Sequence, residues 1–593
     1  MVDTNKFIVK CRRPSSRAKK YDLHFDFNKE MIDSIKLLDT KNRSYKDRTW
    51  TLNVKGLYEL ITMFRGSDKV HFDFGSHEEK QRIKKEFDKV IQEKKETERK
   101  IVELTKNKKF WMEMKSEYEK NFKQYSDEVH AGLLDHIELY PHQIVAALYL
   151  RHAKSALLSL EMGLGKTICS IAYVEMSGYD KVFVITPNSL KFNFYNEIEK
   201  FTDSKAHIVK WKKNKHSIED SKYIIMNYEY FNPSDKKKMD KKFSDLGVDK
   251  IDAVICDESH RLKNQSSNTY KNFKRLSNDK FFKGKPSKVF LSGTPAPNRA
   301  FELYTVLNQI SEIDFATKTH FYEYYCGMKY DPYGYGYDTD IDKQNLEELF
   351  HKIAPYTYRK RKEDVLNLPD KVYQKLMLEL SSAEMKEYEK IEQGVANDIF
   401  SSETTNALTI LIRLRQYTSA LKIGHAKEII DSIIQEGGKL VIVDQFKMIL
   451  KEIHKMYPNI SALHTGDQGV EERADIVKKF QDPDSGLDIF LGSIQTCNYG
   501  LTLTAADKLL ILTLPYSVGE YDQVSDRLHR IGQDSTVHIY PLIFRDTIDE
   551  AVFHTLESKR KEIRKVIDNE DYKTDVSESV LDEVIKKIKE KHG

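Results

Sequence analysis

Two series of short, uninterrupted apolar runs constrain this chain more than any other feature. The first is Val182-Phe183-Val184-Ile185, Tyr223-Ile224-Ile225-Met226, Ala253-Val254-Ile255-Cys256 and Val289-Phe290-Leu291. The second is Leu440-Val441-Ile442-Val443, Ile489-Phe490-Leu491, Leu509-Leu510-Ile511-Leu512 and Val537-His538-Ile539-Tyr540. A strand that alternates apolar and polar residues has one wet face, whereas a continuous apolar run suits burial on both. Helical patterns separate the runs, so each series predicts an α/β unit with a parallel sheet. We place the first over residues 135–311 and the second over 436–560.

The rest of the 593 residues has other textures. Residues 1–76 alternate in short runs such as Phe7-Ile8-Val9 and read as a small α+β module. Residues 77–128 contain neither Pro nor Gly. Their sparse apolar stripe (Ile83, Phe87, Val90, Ile91, Ile101, Val102, Leu104) predicts a solvated helical spacer over 77–134. Residues 312–435 read as helical insertions and a linker, interrupted by a Tyr/Gly/Asp loop from Asp331 to Asp340. A charged helical tail is expected over 561–593. No apolar run approaches the ~18 residues of a membrane span. The start, Met1 to Lys10, lacks the apolar core of a secretory signal. The five cysteines are far apart and read as free thiols. Lys and Arg total 96 against 92 Asp and Glu. That balance argues against a uniformly basic coat and an acidic disordered chain, but leaves room for local basic tracks.

Chemistry concentrates at the ends of the apolar runs. Leu160-Glu161-Met162-Gly163-Leu164-Gly165-Lys166-Thr167 lies between Ala156-Leu157-Leu158 and the helical pattern from Ile168. Glycines there let backbone N–H groups converge on phosphate oxygens, and a helix N-terminus adds positive potential. Lys166 would reach the β- and γ-phosphates, and the Thr167 hydroxyl would ligate Mg²⁺. Leu160 occupies the position of the first glycine in the strict phosphate-loop pattern. Asp257 and Glu258 follow the run ending at Cys256, at the ligand-binding edge of a parallel sheet. Asp257 would hold Mg²⁺, and Glu258 would act as general base on water. Ser292-Gly293-Thr294-Pro295 follows the last run and suits a loop that senses the nucleotide. Gln143, just upstream, carries an amide that can both donate to and accept from an adenine edge. In Gln523-Val524-Ser525-Asp526-Arg527-Leu528-His529-Arg530-Ile531-Gly532-Gln533, Arg527 and Arg530 are three apart and would share a helix face. Such a pair is ordinarily a solvated face, but two guanidinium groups also suit a transferring phosphoryl group.

Taken in order, Gln143, Gly163-Leu164-Gly165-Lys166-Thr167, Asp257-Glu258-Ser259-His260, Ser292-Gly293-Thr294-Pro295 and the arginine run resemble the SWI/SNF-type helicase-like ATPases. The likeness covers about residues 135–560 and includes Thr186-Pro187-Asn188, Asn227-Tyr228-Glu229 and Arg359-Lys360-Arg361-Lys362-Glu363-Asp364-Val365. Phe321 to Cys326, Asn498-Tyr499-Gly500 and the stretch Ile32 to Phe64 look like the annealing-helicase branch with its HARP-type module. Lys360 and Tyr516 depart from the family's Arg and Trp without removing a catalytic group.

The resemblance implies two RecA-like lobes, ATP and Mg²⁺ as cofactors, and movement along duplex DNA, with forked or branched DNA as a structural preference. It implies a catalytic set of Lys166, Asp257, Glu258, Arg527 and Arg530. Nucleotide contacts would come from Gln143, Met162 to Thr167 and Gln523, and coupling from Ser292, Gly293, Thr294 and Gly500. Asn188, Ser189 and Lys191 on the first lobe, with His464, Thr465 and Gly466 on the second, would touch DNA. The basic cluster Arg12-Arg13 to Arg17 with Lys19-Lys20 reads as a solvated or DNA-touching tail in preference to a nuclear-import signal. A monomer in a bacterial or viral-host cytoplasm is expected, or in a nucleus for a eukaryotic source. A clamp that binds DNA without turnover and an RNA-directed helicase are the alternatives.

Overall fold

The computed structural model describes residues 7–569, except 16–17, 27, 39–41, 47–48, 65–69, 278–281, 332–335, 367, 401–403 and 498–500. The chain divides into a unit ending at Phe110 and a unit starting at Trp111. Among the described residues, no helix is long and apolar enough to cross a membrane.

The first unit has one five-stranded sheet, in the order Arg43–Lys46, Thr49–Asn53, Lys20–His24, Phe7–Arg12, Val70–Asp73. Only the last pair is parallel. Val9, Cys11, Tyr21, Leu23 and Leu52 bury one sheet face with Met31, Ile35, Leu57 and Leu60 from two helices. Asn28 caps Lys29–Leu37, and Asn53 caps Val54–Met63, each side chain accepting from a backbone N–H of the first turn. Ile83, at the start of the long helix His77–Asn121, completes this core. Arg13 is not a solvated tail residue: its Nε is 2.8 Å from Glu79 and its Nη2 2.9 Å from Glu86. Its guanidinium also lies 4.5 Å from the Tyr21 ring centroid. Arg12, the last residue of strand Phe7–Arg12, likewise pairs with Asp73 at 2.7 Å, while Lys19 and Lys20 are exposed. Arg17 lies outside the described residues.

The second unit holds two parallel sheets. The first runs Thr357–Lys360, Ala156–Leu160, Ser287–Leu291, Ala253–Asp257, Val182–Thr186, Tyr223–Asn227, Ala206–Ile208. The second runs Lys371–Tyr373, Val537–Phe544, Lys508–Ile511, Leu440–Asp444, Ile489–Ser493, Ser461–His464, with Leu376–Leu378 also pairing to Val537–Phe544. The uninterrupted runs are explained by two-sided burial. In the first sheet Leu157, Phe183, Val254 and Phe290 face one core, while Leu158, Val184, Ile255 and Val289 face another. Val441 and Phe490 against Ile442 and Leu491 repeat this in the second. Each such side chain contributes about 1.5–3 kcal/mol on burial. These are two α/β lobes with parallel sheets, as the apolar runs predict.

The stretch 312–435 is less purely helical than its pattern suggests. It supplies Thr357–Lys360 to the first sheet, and Lys371–Tyr373 and Leu376–Leu378 to the second. Three or four residues are too few to display a period of two. Within the Tyr/Gly/Asp segment, Asp331 ends strand Cys326–Asp331 and Gly336 to Asp340 belong to its antiparallel partner Gly336–Gln344, while residues 332–335 lie outside the described residues. The helix Ile548–Asp568 begins on the second lobe and ends on the first. Val566 and Ile567 enter the first lobe's core, and Glu562 accepts from Arg299 Nη1 at 2.9 Å. Of the expected tail, residues 570–593 lie outside the described residues.

Candidate active site

The phosphate loop joins strand Ala156–Leu160 to helix Lys166–Met176. Gly165 has a φ of 82°, where an L side chain is strained. An added Cβ would also lie 2.3 Å from Gln143 Nε2. Gly165→Ala is therefore expected to cost about 1–3 kcal/mol of stability from the left-handed backbone alone. It should also weaken ATP binding by displacing the loop. Thermal unfolding and nucleotide titration check both, and unchanged affinity would contradict the loop's assignment.

Gln143 does not present a free amide edge. Its Oε1 accepts from Tyr140 N at 3.0 Å, and its Nε2 donates to Leu164 O at 3.2 Å. His142, which the sequence did not mark, places Nε2 3.0 Å from the same carbonyl. In this structure Gln143 braces the loop, and reading an adenine would require it to exchange these bonds. Lys166 donates to Leu160 O at 3.1 Å. Burial disfavours its charge, with Glu258 and Asp257 opposing. Met162 Sδ lies 3.7 Å from Arg527 Nη2 of the second lobe.

Asp257 ends its strand and Glu258 turns out of it with φ 50° and ψ 53°, a left-handed conformation rare outside glycine. Thr186 Oγ1 donates to Asp257 Oδ2 at 3.1 Å, and Glu258 N donates to Oδ1 at 3.0 Å. Burial first, and Glu258 second, push the Asp257 carboxyl up to about 7. Burial also raises Glu258, opposed by Lys166, Arg527 and Arg261. His260 Nδ1 is 3.4 Å from Glu258 Oε2.

A third acid was not legible. Glu197, on helix Lys191–Phe201, lies near the Thr167 hydroxyl. Burial, with Asp257 beside it, pushes Glu197 up to about 7. Nothing in the sequence separates it from Glu199, which pairs with Lys215 outside the site.

The Ser292-Gly293-Thr294 loop contacts both the phosphate loop and the other lobe. A Cβ on Gly293 would lie 3.3 Å from Lys166 Nζ. Ser292 Oγ accepts from Thr294 N at 3.2 Å. Gln523 Nε2 donates across the lobes to Thr294 Oγ1 at 3.5 Å, so it meets the sensing loop. Gly519 of the second lobe packs so close that a Cβ would sit 2.9 Å from Pro297 Cβ. Gly500 lies outside the described residues.

Arg527 and Arg530 do not share a helix face. The helix Val518–Ser525 ends before them, and Asp526 to Arg530 form tight turns, with Arg527 N bonding Val524 O at 3.1 Å. The turn still delivers both arginines to the first lobe, where both act on the Lys166 charge. Arg530 Nη1 donates to Thr502 Oγ1 at 3.3 Å. Burial and the neighbouring Arg530 disfavour the Arg527 charge. Three cations and three acids, Glu197 among them, therefore converge where the loop, the strand end and the second lobe meet. A phosphate among the cations would relieve their mutual repulsion.

The six DNA-contact candidates divide. Asn188 and Ser189 are exposed just after strand Val182–Thr186, and Lys191 is half-buried with Glu229 nearby. Gly466 is exposed. His464 and Thr465 are only 3% and 0% exposed, so as folded they do not reach a ligand surface. His464 Nδ1 is 3.2 Å from Thr496 Oγ1, and burial pushes its ring down to about 4, leaving it neutral. Thr465 is held by Gln468. These two are strand-end residues turned into the lobe, a direction sequence spacing does not encode. Lys447 and Lys451, which the sequence did not mark, flank this loop and pair with Asp467.

Comparison with known proteins matches an SNF2-related domain over residues 140–423 and a helicase conserved C-terminal domain over 422–532. DNA annealing helicase and endonuclease ZRANB3 of Bos taurus is 29% identical over 427 residues, 69% of this chain and 38% of that protein. Putative ATP-dependent helicase/translocase YwqA of Bacillus subtilis is 25% identical over 476 residues, 74% of this chain and 49% of its own. The chain thus spans less than half the length of either relative. The structure of the Sulfolobus solfataricus SWI2/SNF2 ATPase core in complex with dsDNA is 23% identical, covers 73% of this chain and 93% of its own, and has a TM-score of 0.35.

Proposed function

The chain belongs to the SNF2-type helicase-like ATPases, and on that premise we propose that it couples ATP hydrolysis to movement along duplex DNA. One observation carries the reading. Arg527 of the second lobe lies 3.7 Å from Met162 of the phosphate loop and within electrostatic reach of Lys166 and Glu258, and Arg530 is within reach of Lys166. A site completed only by lobe contact makes closure a condition of hydrolysis, and product release a cause of opening.

In this mechanism the phosphates lie in the loop from Met162 to Thr167, with Lys166 on the β- and γ-phosphates. The Thr167 hydroxyl and Asp257 carboxylate are oxygen donors suited to Mg²⁺. Among the described residues no group of three acids, histidines or cysteines could hold a metal unaided. That suits an ion which takes one or two protein oxygens and completes its shell from phosphate and water. When bound, Mg²⁺ neutralises charge on the phosphate oxygens. Glu258 takes a proton from the attacking water, whose oxygen bonds the γ-phosphorus as the bond to the β–γ bridging oxygen breaks. Its raised affinity for a proton makes it a better base. Arg527 and Arg530 stabilise charge on the transferring group, and ADP and phosphate leave as the lobes part.

Asn188, Ser189, Lys191 and Gly466 would meet the sugar-phosphate backbone. Such contacts position a protein without reading sequence, so binding should weaken steeply with salt. The first unit is proposed to favour forked or branched DNA, and the activity to remodel DNA in replication, repair or recombination. The likeness to a relative named a DNA annealing helicase supports this choice. Displacement of a third strand from a triplex tests the movement. The full chain with ATP is expected to release the third strand while the underlying duplex stays paired. Hydrolysis without release would overturn the translocase reading.

A further inference from the structure

The segment after strand Thr357–Lys360 has no part in the chemistry above, yet it spans the two lobes. That strand lies parallel to Ala156–Leu160, with Lys360 opposite Leu160, so it leaves the sheet beside the phosphate loop. Glu161, inside the loop, fastens it. One carboxylate oxygen is 3.2 Å from Arg359 Nη2, and the other accepts from Lys362 N at 2.9 Å. The Lys362 side chain, 5% exposed, then crosses to the second lobe. Its Nζ donates to His529 O at 2.6 Å and lies 3.0 Å from Asp526 Oδ1. Asp526 and His529 frame the turn that carries the two arginines. The Asp526 carbonyl itself accepts from Arg530 Nε at 3.1 Å.

We propose that Lys362 is a positioning residue, a strut that fixes the Asp526–Arg530 turn against the phosphate loop and so aims Arg527 and Arg530 at the transferring group. Charge neutralisation alone does not account for it. Asp526 already has Lys371 Nζ at 2.8 Å, and the bond from Lys362 to the His529 carbonyl neutralises nothing. An ammonium holding both an acid and a main-chain carbonyl fixes the turn in two places. The inference rests on the hydrolytic reading of the same site.

The test uses the full chain, saturating duplex DNA and steady-state ATP hydrolysis. Lys362→Met is expected to lower kcat on the order of 10- to 100-fold, the scale of a small misplacement of a catalytic group. The KM for ATP should stay within about 2-fold, because the lost contact matters in the transition state. Lys362→Arg, which keeps a cationic donor, should recover part of the loss. In an Arg527→Ala/Arg530→Ala background, adding Lys362→Met should change kcat no further, since nothing remains to be aimed. Thermal unfolding checks the fold. If the methionine variant does not fold, Lys362→Gln, which keeps a donor for the carbonyl, carries the same comparison. A loss that multiplies in the arginine-free background, a loss confined to KM, or an unchanged kcat would each overturn the proposal. If the arginine variants themselves turn over normally, the hydrolytic reading fails. If they are impaired and Lys362→Met is not, only this inference fails.

Discussion

Glu258→Gln is expected to lower ATP turnover on the order of 10²–10⁴-fold while ATP and DNA still bind, the cost of removing a general base. The substitution keeps the shape while removing the negative charge and the ability to take a proton. Glu258 sits among Lys166, Arg527 and Arg261, yet burial still raises its proton affinity. Its neighbour Asp257 shows the same balance, moved from an ordinary 3.8 up to about 7. An acid raised by folding holds its proton more tightly in the native state. For Asp257 the cost of ionisation is absent below the unfolded value of 3.8, grows as pH rises, and is fully present above about 7. The nucleotide-free Asp257→Asn protein should therefore melt higher than the parent above pH 7, with the difference vanishing near pH 4. Equal or lower melting throughout would show that the pair is not strained in this way. For Glu258→Gln, binding assays separate the outcomes. Normal turnover sinks the general-base assignment, and lost ATP binding makes the residue structural.

Arg527→Ala is expected to reduce turnover by ~10³–10⁵, the range for an arginine that stabilises a phosphoryl transition state. The reason is geometric as well as electrostatic. Arg527 comes from the other lobe, is 4% exposed, and contributes to the field at both Lys166 and Glu258. In the nucleotide-free fold burial and Arg530 oppose its charge while Asp526 and Glu258 favour it, so these influences offset. Melting temperature should barely change while kcat at saturating ATP and DNA collapses. Arg527→Lys should not restore activity, because an ammonium lacks the planar fork that meets two phosphate oxygens at once. A fall in ATP affinity with kcat preserved would place Arg527 in ground-state binding.

The two sheets were legible because two-sided burial writes itself as consecutive apolar residues, as in Val182 to Ile185. The places of Lys166, Asp257 and Glu258 were legible for a related reason: Asp257 ends a strand, Glu258 follows it, and Lys166 opens a helix one short loop after Leu160, so local order fixes each position. What escaped depends on distant partners. In sequence Gln143 reads as an available amide, but Leu164 and Tyr140 claim it. His464 and Thr465 end a strand as Asp257 does, yet they turn inward to Thr496 and Gln468. The spacing of Arg527 and Arg530 is that of a helix, but the helix stops at Ser525. Thr357–Lys360 is too short to announce itself as a strand, and only its pairing with Ala156–Leu160 places Lys362 beside the loop. The helix Ile548–Asp568 reads as an appendage of the second lobe until Arg299 and Arg359 of the first are found on its acids, Glu562 and Asp568.

The central claim is that hydrolysis at the lobe interface serves movement on DNA. Steady-state ATP hydrolysis by the full chain tests it most directly, measured with no nucleic acid and with duplex, single-stranded, forked DNA and RNA. Duplex DNA is expected to raise turnover well above the unaided rate, with forked DNA at least as effective, RNA ineffective, and the stimulation falling as salt rises. Turnover that no DNA stimulates would contradict the account.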